Sequence, residues 1–193
     1  MTRTQNTRGQ GERLRGELVD AAFGVLDEQG PAGVTLRAVA RAAGVTAPAV
    51  YRHFADLPAL LAELRRDTFA QVIQVTAAAE DGLPSPAARL LARARAYVEL
   101  GLARPARYAL IFTHVPGSDA LAGAALDKMV ELIAACAADG SSASADPRTD
   151  AVHLLAALHG VIGARLSAPG FGWPPLDRTV TEITTRLTLL RAS

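Results

Sequence analysis

Six side chains able to donate hydrogen bonds, besides Arg41, gather in one short window, residues 35–54, which reads T-L-R-A-V-A-R-A-A-G-V-T-A-P-A-V-Y-R-H-F. They are Thr35, Arg37, Thr46, Tyr51, Arg52 and His53. Their chemistry is that of binding to nucleic acid. The guanidinium fork of Arg37 matches the O6 and N7 acceptors on the major-groove edge of guanine, while a phenol, an imidazole N–H and a hydroxyl suit phosphate oxygens. Arg52 can serve either partner. Ala47 and Pro48 lie between these donors and offer only apolar contact, for instance with a thymine methyl.

Two short helices joined by a tight turn would position this set. Thr35 can cap a helix whose inner face is Leu36, Val39, Ala40 and Ala43, and Gly44 can supply the left-handed conformation that ends it. Thr46 can cap a second helix. Pro48 falls in its first turn, where a missing N–H costs nothing, and Val50 and Phe54 recur at the spacing of a buried stripe. The exposed remainder has a small-residue tip and a basic, polar end, a shape suited to the major groove. Thr35 and Thr46 carry two readings, because a capping hydroxyl stands beside N–H groups that also attract phosphate.

G-V-T-A-P-A-V-Y-R-H-F, preceded by T-L-R-A-V-A-R-A-A and by the helix G-E-L-V-D-A-A-F-G-V-L-D-E-Q-G, resembles the TetR family of bacterial transcriptional regulators. That resemblance implies an all-α chain of about nine helices: an N-terminal three-helix helix-turn-helix domain and a C-terminal helical domain for ligand binding and dimerisation. It implies a homodimer on palindromic operator DNA, and a small molecule that shifts the spacing of the two recognition helices. It assigns Tyr51 and His53 to the DNA backbone. Family members usually carry a lysine at the start of the fourth helix; this chain has Leu57 there, beside Asp56. A-L-H-G at 157–160 resembles a subgroup with a tryptophan-histidine-glycine signature, altered here to Leu158, His159 and Gly160.

Of 193 residues half are hydrophobic, enough for one sizeable core with a smaller module attached. The first residues are polar and lack the apolar run of a signal peptide, and Cys136 is the one cysteine, so a reducing cytoplasm without disulfides is expected. The apolar-looking run 151–168 contains His153, His159 and Arg165, which fits a buried helix and not a membrane span. The net charge is +1, with about +2 over residues 1–53, so the basic charge lies at the DNA-binding end. Arg3, Arg8, Arg13 and Arg15 fall in or beside an arm, residues 1–12, expected to be disordered, which reads either as a solubilising tail or as a segment that lies along phosphates or enters a minor groove.

No stretch alternates with period two over the length of a strand. Helices are predicted near 13–29, 35–43, 47–53, 57–81, 86–103, 105–113, 119–138, 148–168 and 175–191, with Pro58, Pro86, Pro105, Pro147 and Pro175 near helix starts. The stretch A-D-G-S-S-A-S-A-D-P reads as a flexible loop. The domains are then an arm at 1–12, the helix-turn-helix domain at 13–56 and the remainder at 57–193. The helix near 148–168 is apolar on two faces. Ala156, Gly160, Gly163 and Ala164 would let a second helix approach closely, and Ile183, Leu187 and Leu190 follow Val180 along the last helix; together these give a four-helix dimer interface.

Phe69, Tyr97, Phe112, His114, Met129 and His153 are aromatic, soft or polar positions on otherwise apolar helices and are the candidates to line a pocket. Scarcity of buried charge suggests an uncharged or largely apolar ligand. Enzyme chemistry finds no support: His153 and His159 lie on different helix faces, one cysteine builds no zinc site, and neither a G-x-x-x-x-G-K loop nor a G-x-S-x-G elbow occurs. No catalytic residue, metal or cofactor is expected. Near-neutral charge argues against non-specific DNA packaging. The reading is a cytoplasmic ligand-responsive repressor whose partners are operator DNA, a second copy of itself and a small-molecule inducer, with no membrane.

Overall fold

A computed structural model describes residues 8–112 and 119–191, and the side chains within these apart from 8–10 and 119–122. The described residues form nine α-helices: α1 Arg8–Gln29, α2 Leu36–Ala42, α3 Ala47–Tyr51, α4 Leu57–Ala78, α5 Pro86–Ala103, α6 Pro105–Ile111, α7 Asp119–Ala138, α8 Pro147–Ser167 and α9 Leu176–Leu187. A 3-10 turn, Pro31–Gly33, separates α1 from α2. Among the described residues the only β pairing is an isolated antiparallel bridge between Ser142 and Leu190. The all-α expectation is met.

The chain divides into two compact units. The first comprises residues 1–68 and 106–115, the second residues 69–105 and 116–193. This differs from the sequence boundary at 56/57, because the first half of α4 and all of α6 after Pro105 belong with the N-terminal helices. Two arginines account for α6. Arg107 grips Asp27 at 2.6 Å and lies 4.3 Å over the ring of Phe23, both on α1. Arg65 of α4 donates to the carbonyl of Ile111 at 3.1 Å. Neither contact is local in sequence, so helical periodicity could not reveal it.

In the first unit one apolar cluster joins Leu18, Ala22 and Leu26 of α1, Leu36 and Val39 of α2, Val50 of α3, Phe54 in the turn after it, Leu60 and Leu64 of α4, and Leu110 of α6. The helix ends follow their sequence signals. Thr35 Oγ1 accepts from the N–H of Ala38 at 3.1 Å, a capping bond that satisfies one of the four free donors of α2. Gly44 adopts φ 66°, and the N–H groups of Gly44 and Val45 bond back to Arg41 and Ala40, at 3.2 and 2.9 Å. That paired closure requires a left-handed residue after the helix, which glycine supplies without strain. Asp56 Oδ1 caps α4 through the N–H of Ala59 at 2.8 Å.

Two ends depart from expectation. α1 begins at Arg8, so residues 8–12 are helical and do not belong to an arm; residues 1–7, with Arg3, lie outside the described residues. α9 stops at Leu187, well before 191. Leu189 takes φ 50°, and Leu190 leaves the helix to pair with Ser142. Leu190 therefore does not continue the stripe of α9.

In the second unit α5 packs against α7, α8 and α9, and α8 packs against α7 and α9. Leu90, Ala94, Tyr97 and Val98 of α5, Met129, Ile133 and Cys136 of α7, Leu154, Leu158 and Ile162 of α8 and Val180 of α9 are buried. Cys136 is a packing residue whose thiol burial pushes upward in pKa, away from reactivity. The polar stretch after α7 is pinned and is no flexible loop. Ser142 Oγ donates to the carbonyl of Thr188 at 2.7 Å, Ala143 N–H to Leu189 at 3.0 Å and Arg191 N–H to Ser141 at 2.8 Å. Ser142 and Thr188 are both buried. Replacing Ser142 with Ala strands a buried carbonyl, and urea denaturation of the variant should show a loss of about 1–3 kcal/mol.

Candidate nucleic-acid interface and interior cavity

A helix of five residues makes too few backbone bonds to persist alone, so α3 depends on what holds it. Two devices do. Val50 and Phe54 are almost wholly buried in the first core, each contributing about 1.5–3 kcal/mol by leaving water. Arg15 of α1 then locks the end of the helix: it donates to the carbonyl of His53 at 3.2 Å, pairs with Glu63 of α4 at 2.5 Å, and lies 4.6 Å over the ring of Phe54. Arg66 also reaches Glu63. Arg15 thus belongs to α1 and is engaged within the unit, whereas its place in the basic N-terminal cluster had suggested the arm. Arg13 pairs with Glu17 on the α1 surface.

With this frame beneath them, the candidate side chains stand outward. Arg37, Thr46, Pro48, Tyr51 and Arg52 are exposed, Tyr51 by 55%, while Ala47 and His53 are half-buried. Thr35, Arg37 and Tyr51 share a groove of about 380 Å³ with Asp56 and Leu57. The helix-turn-helix therefore brings the candidate base reader and the candidate phosphate donor onto one concave surface. α3 ends at Tyr51, so Arg52 and His53 lie in the turn that follows and not in the helix. The two threonines part company. Thr35 spends its oxygen on capping, whereas Thr46 occupies the N-cap position with no side-chain capping bond. An exposed hydroxyl beside free helix N–H groups is the better placed of the two for an anion.

The pocket candidates divide more sharply. A narrow cavity of about 30 Å³ in the second unit is lined by Val72 and Thr76 of α4, Arg93 and Tyr97 of α5, Ala125, Leu126 and Met129 of α7 and Leu155 of α8. Tyr97 and Met129 were expected there. Phe69 is buried but does not line it, Phe112 is 56% exposed and His153 is exposed, so these three do not belong to it. His114 lies outside the described residues.

Sequence reading missed the polar side of this cavity. Arg93 is 4% exposed, pairs with Glu80, and donates to Thr76 Oγ1 at 2.9 Å; the Thr76 hydroxyl in turn donates to the Val72 carbonyl at 2.8 Å. Buried charge is therefore present, contrary to expectation. The signal was there: Leu90, Arg93, Ala94, Tyr97 and Val98 form a single buried face of α5, and an arginine on such a face requires an acidic partner. Beside this group Tyr97 Oη and His159 Nδ1 are 3.2 Å apart, with rings edge to face at 5.6 Å. His159 is the histidine of the altered Leu158-His159-Gly160 triplet. Burial holds its imidazole below the usual range, so it is neutral near pH 7.

On α8, Val152, Ala156, Gly160 and Gly163 are exposed and Ala164 is half-buried; a Cβ added at Gly160 or Gly163 would meet nothing within 4 Å. Ile183 and Leu187 of α9 are half-buried. The buried face of α9 carries Val180, Thr184 and, just past its end, Thr188. Among the described residues no group of three or more His, Cys, Asp or Glu could hold a metal ion, and no helix is long and apolar enough to cross a membrane.

Comparison with known proteins matches residues 18–64 to the description "Bacterial regulatory proteins, tetR family" and residues 90–187, over half of the chain, to "Tetracyclin repressor-like, C-terminal domain". An HTH-type transcriptional regulator of Mycobacterium tuberculosis is 31% identical over 118 residues, 60% of this chain and 50% of the relative. The chain thus spans about half the length of the curated relatives it matches. A protein of unknown function from Rhodococcus sp. RHA1 has a similar structure, with TM-score 0.81 and 29% identity, covering 92% of this chain and 96% of that one. A transcriptional regulator from the same organism shares the fold, with TM-score 0.72 and 24% identity over 90% of this chain and 95% of that one.

The lowered pKa of His159 fixes the sign of one pH effect. The unfolded chain takes up this proton near the ordinary value of 6.5, whereas the folded chain resists it, so stability is full above that value and declines as pH falls below it. His159→Phe should flatten the decline, checked by comparing urea midpoints of the two proteins at about pH 7.5 and 5.5.

Proposed function

Because the chain belongs to the TetR family of bacterial regulatory proteins, with a helix-turn-helix module and a C-terminal regulatory domain, we propose that this DNA-binding regulator is a cytoplasmic, ligand-responsive repressor. It binds a palindromic operator as a homodimer and leaves it when a small, largely apolar molecule enters the cavity of the second unit. The observation that carries the DNA reading is the groove shared by Arg37 and Tyr51 on a helix pair locked from below by Arg15.

Arg37 reads a guanine edge, and Ala47 and Pro48 contact bases by shape. Thr46, Tyr51, Arg52 and the half-buried His53 hold phosphates, with Thr35 chiefly a cap. Two such helices related by a two-fold axis meet half-sites about one helical turn apart or somewhat more. The exposed small-residue face of α8, Ala156, Gly160 and Gly163 with Ala164 at its edge, supports close approach of a partner helix, and Ile183 and Leu187 of α9 flank it. Tyr97 and Met129 line the ligand cavity. An inducer that favours the DNA-incompetent spacing by about 3 kcal/mol lowers operator affinity more than a hundredfold.

Footprinting on the DNA flanking the protein's own gene, at physiological salt, tests the reading. A two-fold symmetric protected site should appear and should be lost in Arg37→Ala and Tyr51→Ala, with the arginine change costing about 1–3 kcal/mol and relaxing the choice of base at one position. Equal affinity for random DNA would refute it. Removing residues 1–7, which leaves α1 whole and takes away Arg3, should reduce the salt slope of binding by about one.

A further inference from the structure

Arg93 and Glu80 share a charge pair but not a setting. Arg93 stands midway along α5, the helix against which α7, α8 and α9 pack, and it forms part of the cavity wall. Glu80 lies beyond the last turn of α4, followed by the exposed Asp81 and by Gly82 at φ 74°. The cation is therefore fixed in the interior, and its counter-ion, with 11% of its side chain exposed, stands on the turn that follows α4. Apart from the hydroxyls of Thr76 and Tyr97, the rest of the wall is apolar: Val72, Ala125, Leu126, Met129 and Leu155. The cavity of about 30 Å³ holds little more than a water molecule or two, so any larger occupant must displace side chains. Met129, unbranched and soft, yields at small cost.

A neutral occupant would leave the pair intact and gain nothing from Arg93, and a cation would be repelled by it. A carboxylate differs. The planar guanidinium fork accepts a second carboxylate in the geometry of the first, and the displaced Glu80 stands on the turn after α4, beside the exposed Asp81. We infer that the ligand of this cavity is a monocarboxylate on a hydrocarbon body, whose carboxylate replaces Glu80 on Arg93 while its tail lies along Leu126, Met129 and Leu155. This rests on the ligand-sensing reading above and gives the apolar molecule proposed there a single anionic end.

The test titrates the full-length protein, without DNA, with decanoate, decan-1-ol and decylammonium by calorimetry, and follows the melting temperature at each concentration. Decanoate should bind severalfold tighter than the alcohol, because only the carboxylate can exchange with Glu80 on Arg93 and release Glu80 toward water, and the amine should bind weakest. Glu80→Gln removes the competing carboxylate and should tighten decanoate severalfold. Because Arg93→Gln alone strands Glu80 and can unfold the chain, the double variant Arg93→Gln, Glu80→Gln serves as the neutral control; it should bind decanoate and decanol alike. Equal or stronger binding of the alcohol by the unsubstituted protein, a preference that survives in the double variant, or no gain in Glu80→Gln overturns the carboxylate inference alone. Binding of none of the three probes overturns the ligand-sensing reading with it.

Discussion

The contact on which the DNA-facing surface depends is that of Arg15 with the last carbonyl of the recognition segment. A helix as short as α3 leaves most of its carbonyls unsatisfied, and negative partial charge collects at its C-terminal end. Arg15 places a cation there, at the carbonyl of His53, and spends its remaining valence on Glu63 and the Phe54 ring. One side chain thus ties α1 and α4 to the end of α3. The outward residues need make no structural contacts of their own, which leaves Arg37, Tyr51 and Arg52 exposed and available to a partner.

The helix-turn-helix was legible because its signals are local. The Thr35 cap, the left-handed glycine and the apolar period of Leu36, Val39, Val50 and Phe54 all act within a few residues, and each appears in the structure where the sequence put it, whereas Thr46 stands at its N-cap position without the capping bond. What was not legible depends on distant partners. Arg107 finds Asp27 eighty positions away, which moves α6 into the first unit. Leu190 carries the apolar period of α9 past its true end, because a backbone partner in Ser141 and Ser142 competes for the same residues.

Buried threonines explain a further blind spot. Thr68, Thr76 and Thr188 each donate to the carbonyl four residues earlier, at 2.7 to 2.8 Å, so their hydroxyls can be buried without an outside partner. A reading that counts threonine as polar breaks the stripe at these places and misplaces the inner faces of α4 and α9. Thr76 then uses its free lone pair to receive Arg93, which turns a break in the pattern into part of the cavity wall. His153 and Phe112 show the opposite case, since residue type alone marked them as pocket members, whereas both are exposed and neither lines the cavity of the second unit.

The short bridge at Ser142 and Leu190 has a consequence for how the second unit comes apart. It fastens together the strip of chain before α8 and the strip after α9, 46 residues apart at the Ser142 to Thr188 bond, so the two helices form a loop closed at its base without a covalent link. Closing such a loop removes most of the entropy that independent fraying would gain. The backbone amides of α8 and α9 should then share one opening event, and hydrogen exchange along both helices should report a single cooperative unit instead of two ends melting separately.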